Sequence, residues 1–155
     1  KDDPVNYIHN EIGYNFRLTN IQAAIGVAQL EKMQNYLIRK KEIYNQYLAC
    51  VKEIESFIIA DSPNFAHNNH WINIFRRNPN EINKVIDYLH YENIETRPIW
   101  QLNHLQKPYI SCQAYKVENA LKHISQSLCL PSSVSITDKQ ILSIINKLKN
   151  YYKVQ

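Results

Sequence analysis

Polar and aromatic side chains that could bind a ligand are concentrated in TRPIWQLNHLQKPY, at positions 96–109. This stretch carries Arg97 near the end of a predicted strand, and Trp100 and His104 directly after that strand. Loops that leave a strand often build the wall of a ligand site, because the strand fixes where they begin. The alternative is a surface loop whose polar groups satisfy one another. The residue types alone leave both interpretations open.

A second polar pair, Asn15 and Arg17, lies in the apolar stretch EIGYNFRL just before a predicted helix. An amide and a guanidinium held among aromatic neighbours are suited to bind an anionic group. The helix that follows is rich in small residues, which would let another backbone approach closely. The alternative is that Arg17 is a structural arginine with partners inside the fold.

Other kinds of site have little support in the sequence. His67 and His70 have a metal-ligand spacing, but no acidic or cysteine partner is near them in the sequence, so we expect no metal site. The chain has only two glycines, which argues against a glycine-rich phosphate loop. No serine lies in a nucleophile elbow and no cysteine has a neighbouring base, so we expect no catalytic residue in this chain.

Composition favours one globular domain. The chain has 155 residues, of which 45% are apolar, and a formal net charge of +4. The densest basic run, 39–41, is predicted to be a solvated helix face, so we expect no nucleic-acid partner. No apolar run is long enough to cross a bilayer, and the N-terminus does not resemble a signal peptide. The three cysteines lack a CxxC pair, which favours a reducing cytoplasm.

The predicted elements are one long helix followed by alternating strands and helices. A capping box of Thr19 and Gln22 opens a long helix over about 19–52, and strands and helices follow through about 56–153. The helix carries an apolar stripe of Leu30, Leu37, Tyr44 and Val51. The predicted strands cover 56–60, 70–76, 94–99 and 127–131. The order predicts one domain over 1–155, a small α/β sandwich with a long N-terminal helix and the helices on one side of the sheet.

Three motifs together resemble a known family. They are GYNFRLTNIQAAIGVAQLEKM, TRPIWQLNHLQKPY and LCLPSSVSITDKQI, in this order along nearly the whole chain. They resemble the C-terminal part of the DegT/StrS-type sugar aminotransferases, which are similar to fold-type I aminotransferases. The resemblance implies an enzyme that holds pyridoxal phosphate as a Schiff base on a lysine. Such enzymes transfer an amino group from glutamate to a nucleotide-linked keto sugar, for surface glycans, polysaccharides or antibiotics.

The resemblance also implies roles for single residues. Asn15 matches an asparagine that reaches across a homodimer interface to the cofactor phosphate, and Arg17 matches a nearby arginine. His104, and with it Arg97 and Trp100, would face the nucleotide-sugar substrate.

In the family, a cofactor domain with the Schiff-base lysine precedes the matching region, and no segment of this chain resembles it. We therefore expect a C-terminal domain that binds no pyridoxal phosphate alone and works with an N-terminal partner domain. Tyr7, Ile8, Ile12, Tyr14 and Phe16 would then be exposed. The alternative is a non-catalytic interaction or regulatory domain that kept the fold. The coding sequence immediately upstream would discriminate the two.

Overall fold

The computed structural model describes residues 8–51, 54 and 58–153, and only the backbone of Cys50, Val51, Pro79, Asn80 and Lys153. The long helix comes first, and strands and helices then follow in the predicted order. The elements are α1 (Asn20–Val51), β1 (Ile58–Ile59), β2 (Asn73–Arg76), α2 (Pro79–Tyr91), β3 (Arg97–Pro98), α3 (Glu118–Ser125), β4 (Ser127–Leu130) and α4 (Asp138–Lys153). Two short 3-10 turns, Asn103–Leu105 and Lys107–Tyr109, lie between β3 and α3.

The four strands form one antiparallel sheet in the order β1-β2-β4-β3. Phe75 pairs with Ile59 on one side and with Leu128 on the other. These three side chains are buried and join the core formed with α1, α2 and α4. The predicted fold class, a small α/β domain with a long N-terminal helix, is confirmed.

Two of the strands are shorter than predicted, for identifiable backbone reasons. The stretch 70–76 becomes a strand only from Asn73, because His70 has φ 49° and leaves the extended region. The stretch 94–99 is paired only at Arg97–Pro98, because the backbone N–H of Ile94 instead caps α2 by donating to the Leu89 carbonyl. Of the predicted strand 56–60, residues 56 and 57 lie outside the described residues.

The long helix begins as predicted. The Thr19 backbone N–H donates to Gln22 Oε1 at 2.9 Å, and the Gln22 N–H donates back to Thr19 Oγ1 at 3.3 Å, which confirms the capping box. A matching box of Thr137 and Gln140 opens α4. Lys52, the predicted last residue of α1, lies outside the described residues.

Only the C-terminal part of α1 joins the core. Tyr44 and Tyr47 are buried, whereas Leu30 of the same predicted stripe is 64% exposed. Many large apolar side chains before Ile43 are exposed, and we call them the N-terminal apolar surface. This surface consists of Ile8, Ile12, Tyr14, Phe16, Leu18, Ile21, Ile25, Val27, Leu30, Met33, Leu37 and Ile38. Tyr7, predicted to be exposed with them, lies outside the described residues. In the part of the chain that the structure describes, no helix is long and apolar enough to cross a membrane.

Candidate functional site

A pocket of about 350 Å³ lies where β2 begins and where β3 and β4 end, and we call it the tryptophan pocket. It brings together Arg97 and Trp100, as the loop motif predicted, and adds Trp71 from the segment before β2. Its lining also includes Lys40, Ile72, Glu95, Pro98, Cys129, Leu130, Pro131, Ser132 and Ser133. The volume is within the range of small-molecule sites.

Two indole rings form one wall of this pocket. The rings of Trp71 and Trp100 stack with centroids 5.6 Å apart and an angle of 25° between their planes. Trp71 is 64% exposed. The sequence interpretation did not single out Trp71; the signal for it was its place in HNNHW, directly before a predicted strand. A large exposed aromatic ring at a strand entrance is a candidate ligand contact.

The turn that carries Trp71 is held by side-chain hydrogen bonds. Asn68 Oδ1 accepts from the His70 backbone N–H at 2.8 Å, and Asn69 Oδ1 accepts from the Trp71 N–H at 3.0 Å. The His70 ring stacks on Tyr44 of α1 with centroids 4.2 Å apart. Burial lowers the pKa of His70 and the charge of Lys41 lowers it further, while Asp61 opposes both. His70 thus acts as a packing residue in the turn.

Lys40 closes the pocket from the helix side. Its Nζ donates to the Trp71 carbonyl at 2.9 Å and also to the Ser132 carbonyl. Partial burial lowers the pKa of Lys40. Arg39 is also occupied, because its guanidinium pairs with Asp138 at 2.9 Å. The prediction that 39–41 is a solvated face was therefore wrong for Arg39 and Lys40, since both link α1 to later segments.

The charged groups at the other side of the pocket belong to the β3 segment. Arg97 Nε donates to Glu95 Oε1 at 3.0 Å, and both side chains stay at least half exposed. Cys129 lies on β4 opposite Arg97, and burial raises the pKa of its thiol to about 11. The thiol is therefore neutral near pH 7 and does not act as a nucleophile there.

His104 lies in a second pocket, of about 620 Å³, between the N-terminal segment and the 3-10 turns. The lining includes His9, Gly13, His104 and Tyr109. Buried Gln106 links the N-terminal segment to the 3-10 turns, because its Oε1 accepts a hydrogen bond from the His9 backbone N–H at 2.9 Å. The predicted loop is thus divided: Arg97 and Trp100 line one pocket, and His104 lines the other.

Asn15 and Arg17 lie in the segment between the His104 pocket and α1. Both side chains are exposed and neither lines either pocket. Neither side chain forms a hydrogen bond or ion pair with any residue that the structure describes, so the alternative of a structurally paired Arg17 gains no support there. Gly13, two residues before Asn15, belongs to the His104 pocket. The cofactor roles of Asn15 and Arg17 stay predictions.

The described residues contain no group of three or more His, Cys, Asp or Glu side chains that could hold a metal ion. His67 is exposed, and His70 is engaged with Tyr44. The predicted site residues therefore lie in or near two of the open pockets, one walled by stacked indoles and one beside the segment that carries Asn15. Both suit ligand binding.

Comparisons with known proteins show what this chain is similar to. GDP-perosamine synthase from Escherichia coli O157:H7 is 32% identical over 149 residues, which cover 94% of this chain and 40% of that protein. GDP-perosamine synthase from Vibrio cholerae is 28% identical over 151 residues, covering 94% of this chain and 41% of that protein. The chain thus spans about 40% of the length of these curated relatives.

Solved structures show the same fold. Aminotransferase TlmJ from Streptoalloteichus hindustanus superposes with a TM-score of 0.78 at 17% identity, over 86% of this chain and 36% of that one. PseC from Helicobacter pylori, an aminotransferase involved in the biosynthesis of pseudoaminic acid, gives a TM-score of 0.77 at 17% identity, over 94% and 40% of the two chains. The model of the DegT/DnrJ/EryC1/StrS aminotransferase family matches residues 1–149. The resemblance found in the sequence is confirmed, and this chain belongs to the DegT/DnrJ/EryC1/StrS aminotransferase family.

Proposed function

We propose that this chain is the C-terminal domain of a pyridoxal phosphate-dependent nucleotide-sugar aminotransferase. The complete enzyme would transfer an amino group from glutamate to a nucleotide-linked keto sugar in surface glycan or polysaccharide biosynthesis. The observation that carries the proposal is the family match over residues 1–149. The two similar GDP-perosamine synthases support a nucleotide-linked sugar as the substrate class.

The N-terminal apolar surface supports a larger assembly. Phe16 is 87% exposed and Ile21 is 74% exposed, and large exposed apolar patches mark interaction sites. We infer that an N-terminal cofactor domain and a second subunit cover this surface in a cytoplasmic homodimer. The chain's share of its relatives' length, about 40%, leaves room for such a domain.

The donors of Asn15 and Arg17 fit one part of the cofactor. An amide N–H and a guanidinium donate to phosphate oxygens, and both side chains are exposed without partners among the described residues. When bound, pyridoxal phosphate supplies an electron sink that lets an amino group leave one substrate and enter another. This chain would contribute phosphate contacts through Asn15 and Arg17 and substrate contacts through Arg97, Trp100 and His104. It would contribute no catalytic residue.

The test begins with the full-length coding sequence. We expect it to encode a lysine-bearing cofactor domain before residue 1 of this chain, and the purified protein to convert glutamate to 2-oxoglutarate with a nucleotide-linked keto sugar. A panel of GDP-, UDP- and dTDP-linked keto sugars identifies the substrate. A full-length protein without such a domain, or without amino transfer to any of them, would favour a non-catalytic interaction or regulatory domain.

Alanine variants of that enzyme test the cofactor contact. Asn15→Ala should weaken pyridoxal phosphate binding by about 10–150-fold, because a hydrogen bond to a charged group contributes about 1.5–3 kcal/mol. Arg17→Ala should weaken it as well. Asn83→Ala, which removes an exposed amide from α2, is the matched control. Equilibrium dialysis of the cofactor gives the affinity independently of turnover, and unchanged affinity in Asn15→Ala would show that this residue is structural.

A further inference from the structure

We propose that the stacked indoles of Trp71 and Trp100 form a platform on which the base of a nucleotide stacks. The choice of a nucleotide as the ligand rests on the proposed function. The site itself rests on the tryptophan pocket, in which Trp71 provides a contact that the family motifs did not indicate. The chemical class of the ligand is a nucleoside diphosphate.

The platform has a face open to a planar ring. Trp71 is 64% exposed although it stacks on Trp100, which is 37% exposed. Stacking on an aromatic side chain stabilises a bound base and tolerates different bases, because every base has a π-face. A pocket of about 350 Å³ lies in front of the two rings. An open indole face beside a pocket therefore suits a heterocyclic base.

The backbone of Trp71 is fixed before any ligand arrives. Its N–H donates to Asn69 Oδ1 at 3.0 Å, and its carbonyl accepts from Lys40 Nζ at 2.9 Å. The preceding residue, His70, keeps a left-handed φ of 49° while its ring stacks on buried Tyr44. Non-glycine residues persist in this region when their surroundings hold them there, and such positions are frequent at ligand sites. A preorganised wall binds with a smaller loss of conformational entropy.

Polar groups around the platform match the remaining parts of a nucleotide. The Arg97 guanidinium and the Glu95 carboxylate provide donors and an acceptor at the β3 side of the pocket. Base edges present both acceptors and donors, and phosphate oxygens accept from guanidinium. The side chains of Ser132 and Ser133 lie at the β4 exit. The pocket thus combines a stacking surface with polar groups on one side of the two rings.

The two tryptophans make the test specific, because the 155-residue chain contains no others. In a ¹⁵N-correlated NMR spectrum each indole N–H gives one signal, and Trp71→Phe assigns them. We expect GDP, UDP or dTDP to shift both indole signals saturably. Inorganic pyrophosphate, which lacks a base, should leave them unchanged. Pyridoxal phosphate is also a planar ring with a phosphate group, and it should shift the indole signals less than the nucleotide that gives the largest shifts.

Variants separate stacking from other effects. Trp71→Ala should weaken nucleotide binding about 5–150-fold, consistent with the loss of one stacked base contact, and Trp71→Phe should retain part of the affinity. Phe65→Ala, which removes a 90% exposed ring from the same loop, is the matched control and should bind like the parent chain. Thermal unfolding checks that each variant folds. If Trp71→Ala does not fold, Trp71→Phe and Trp100→Phe carry the test.

Three outcomes would overturn the platform. In the first, no nucleoside diphosphate shifts the indole signals at millimolar concentration. In the second, pyrophosphate produces the same shifts as the nucleotides, which would mean that the pocket binds only phosphate. In the third, pyridoxal phosphate binds more tightly than every nucleotide. The proposed function can fail separately from the platform. If the full-length protein transfers amino groups but nucleotides do not shift the indole signals, only the platform is refuted. If nucleotides shift the indole signals but the protein transfers no amino group, only the enzyme activity is refuted.

Discussion

Lys40 of α1 donates a hydrogen bond of 2.9 Å to the backbone carbonyl of Trp71, 31 residues further along the chain. The same ammonium group donates to the carbonyl of Ser132 at the exit of β4. One side chain therefore ties the long helix to both the entrance of β2 and the end of β4. These two segments line the tryptophan pocket, so the position of the pocket wall depends on α1.

Replacing Lys40 by methionine should destabilise the domain. Methionine keeps much of the side-chain volume but leaves the part-buried carbonyl of Ser132 without this donor, which costs about 1–3 kcal/mol. We expect the free energy of unfolding in urea to fall by that amount. Lys41→Met, on the exposed neighbour, is the control and should change stability little. Equal stabilities of the two variants would show that the Lys40 hydrogen bonds contribute nothing.

Two helices begin with capping boxes of the same geometry, but only one of these helix starts lies next to the core. Thr19 with Gln22 and Thr137 with Gln140 have the same two hydrogen-bond lengths, 2.9 and 3.3 Å. The start of α4 leads directly into buried Ile141, whereas the first turns of α1 are exposed.

Thr137→Ala should therefore lower the free energy of unfolding by about 0.5–2 kcal/mol, the usual loss for an N-cap. Thr19→Ala should leave global unfolding nearly unchanged, because the first turns of α1 can fray without exposing the core. Urea unfolding gives the global values, and amide hydrogen exchange near residue 23 should rise in Thr19→Ala. Equal global losses would show that the exposed start of α1 unfolds together with the core.

Local patterns predicted the helices, and long-range contacts explain what they missed. The apolar spacing of Ile82, Val85 and Leu89 correctly gave the buried face of α2, because helical periodicity is a local property. The pairing of Trp71 with Trp100 joins segments on either side of α2, and no local pattern encodes it. The predicted ligand loop was divided for a similar reason, since Gln106 is bound by the distant backbone of His9.

The pKa of His70 predicts a pH dependence of stability. Burial and the charge of Lys41 lower its pKa in the folded state below the ordinary 6.5. As the pH falls below about 6.5, the unfolded chain takes up this proton more readily than the folded chain. The contribution of His70 to the free energy of unfolding is therefore complete above that pH. It decreases as the pH falls through the lower pKa of the folded state.

His70→Asn should make the free energy of unfolding depend less on pH below about 6.5, because asparagine does not titrate. Asparagine also tolerates the positive φ at this position. The variant should also lose some stability at pH 8 through the missing ring contact with Tyr44. Urea unfolding of both proteins at pH 5, 6, 7 and 8 measures the difference. His67→Asn, in the same loop and exposed, should keep the profile of the parent chain. An identical slope in His70→Asn would assign the pH dependence to other groups.

The N-terminal apolar surface predicts self-association of the chain by itself. Ile25 is 58% exposed and Leu30 is 64% exposed on the part of α1 that lies outside the core. Burying one such side chain contributes about 1.5–3 kcal/mol, so two chains gain by covering these residues against each other. Replacing both by glutamine should raise the dissociation constant for self-association at least about tenfold. Because neither side chain belongs to the core, the urea midpoint should not change at concentrations where the chain is monomeric.

Analytical ultracentrifugation over a range of concentrations measures this association. Lys32→Gln, on the same helix, is the control for a change of surface polarity and should associate like the parent chain. A strictly monomeric parent chain at high concentration would contradict the prediction. Association that persists unchanged in the double variant would show that the contact lies on another part of the surface, such as Trp71. Nucleotide binding would compete with association at Trp71.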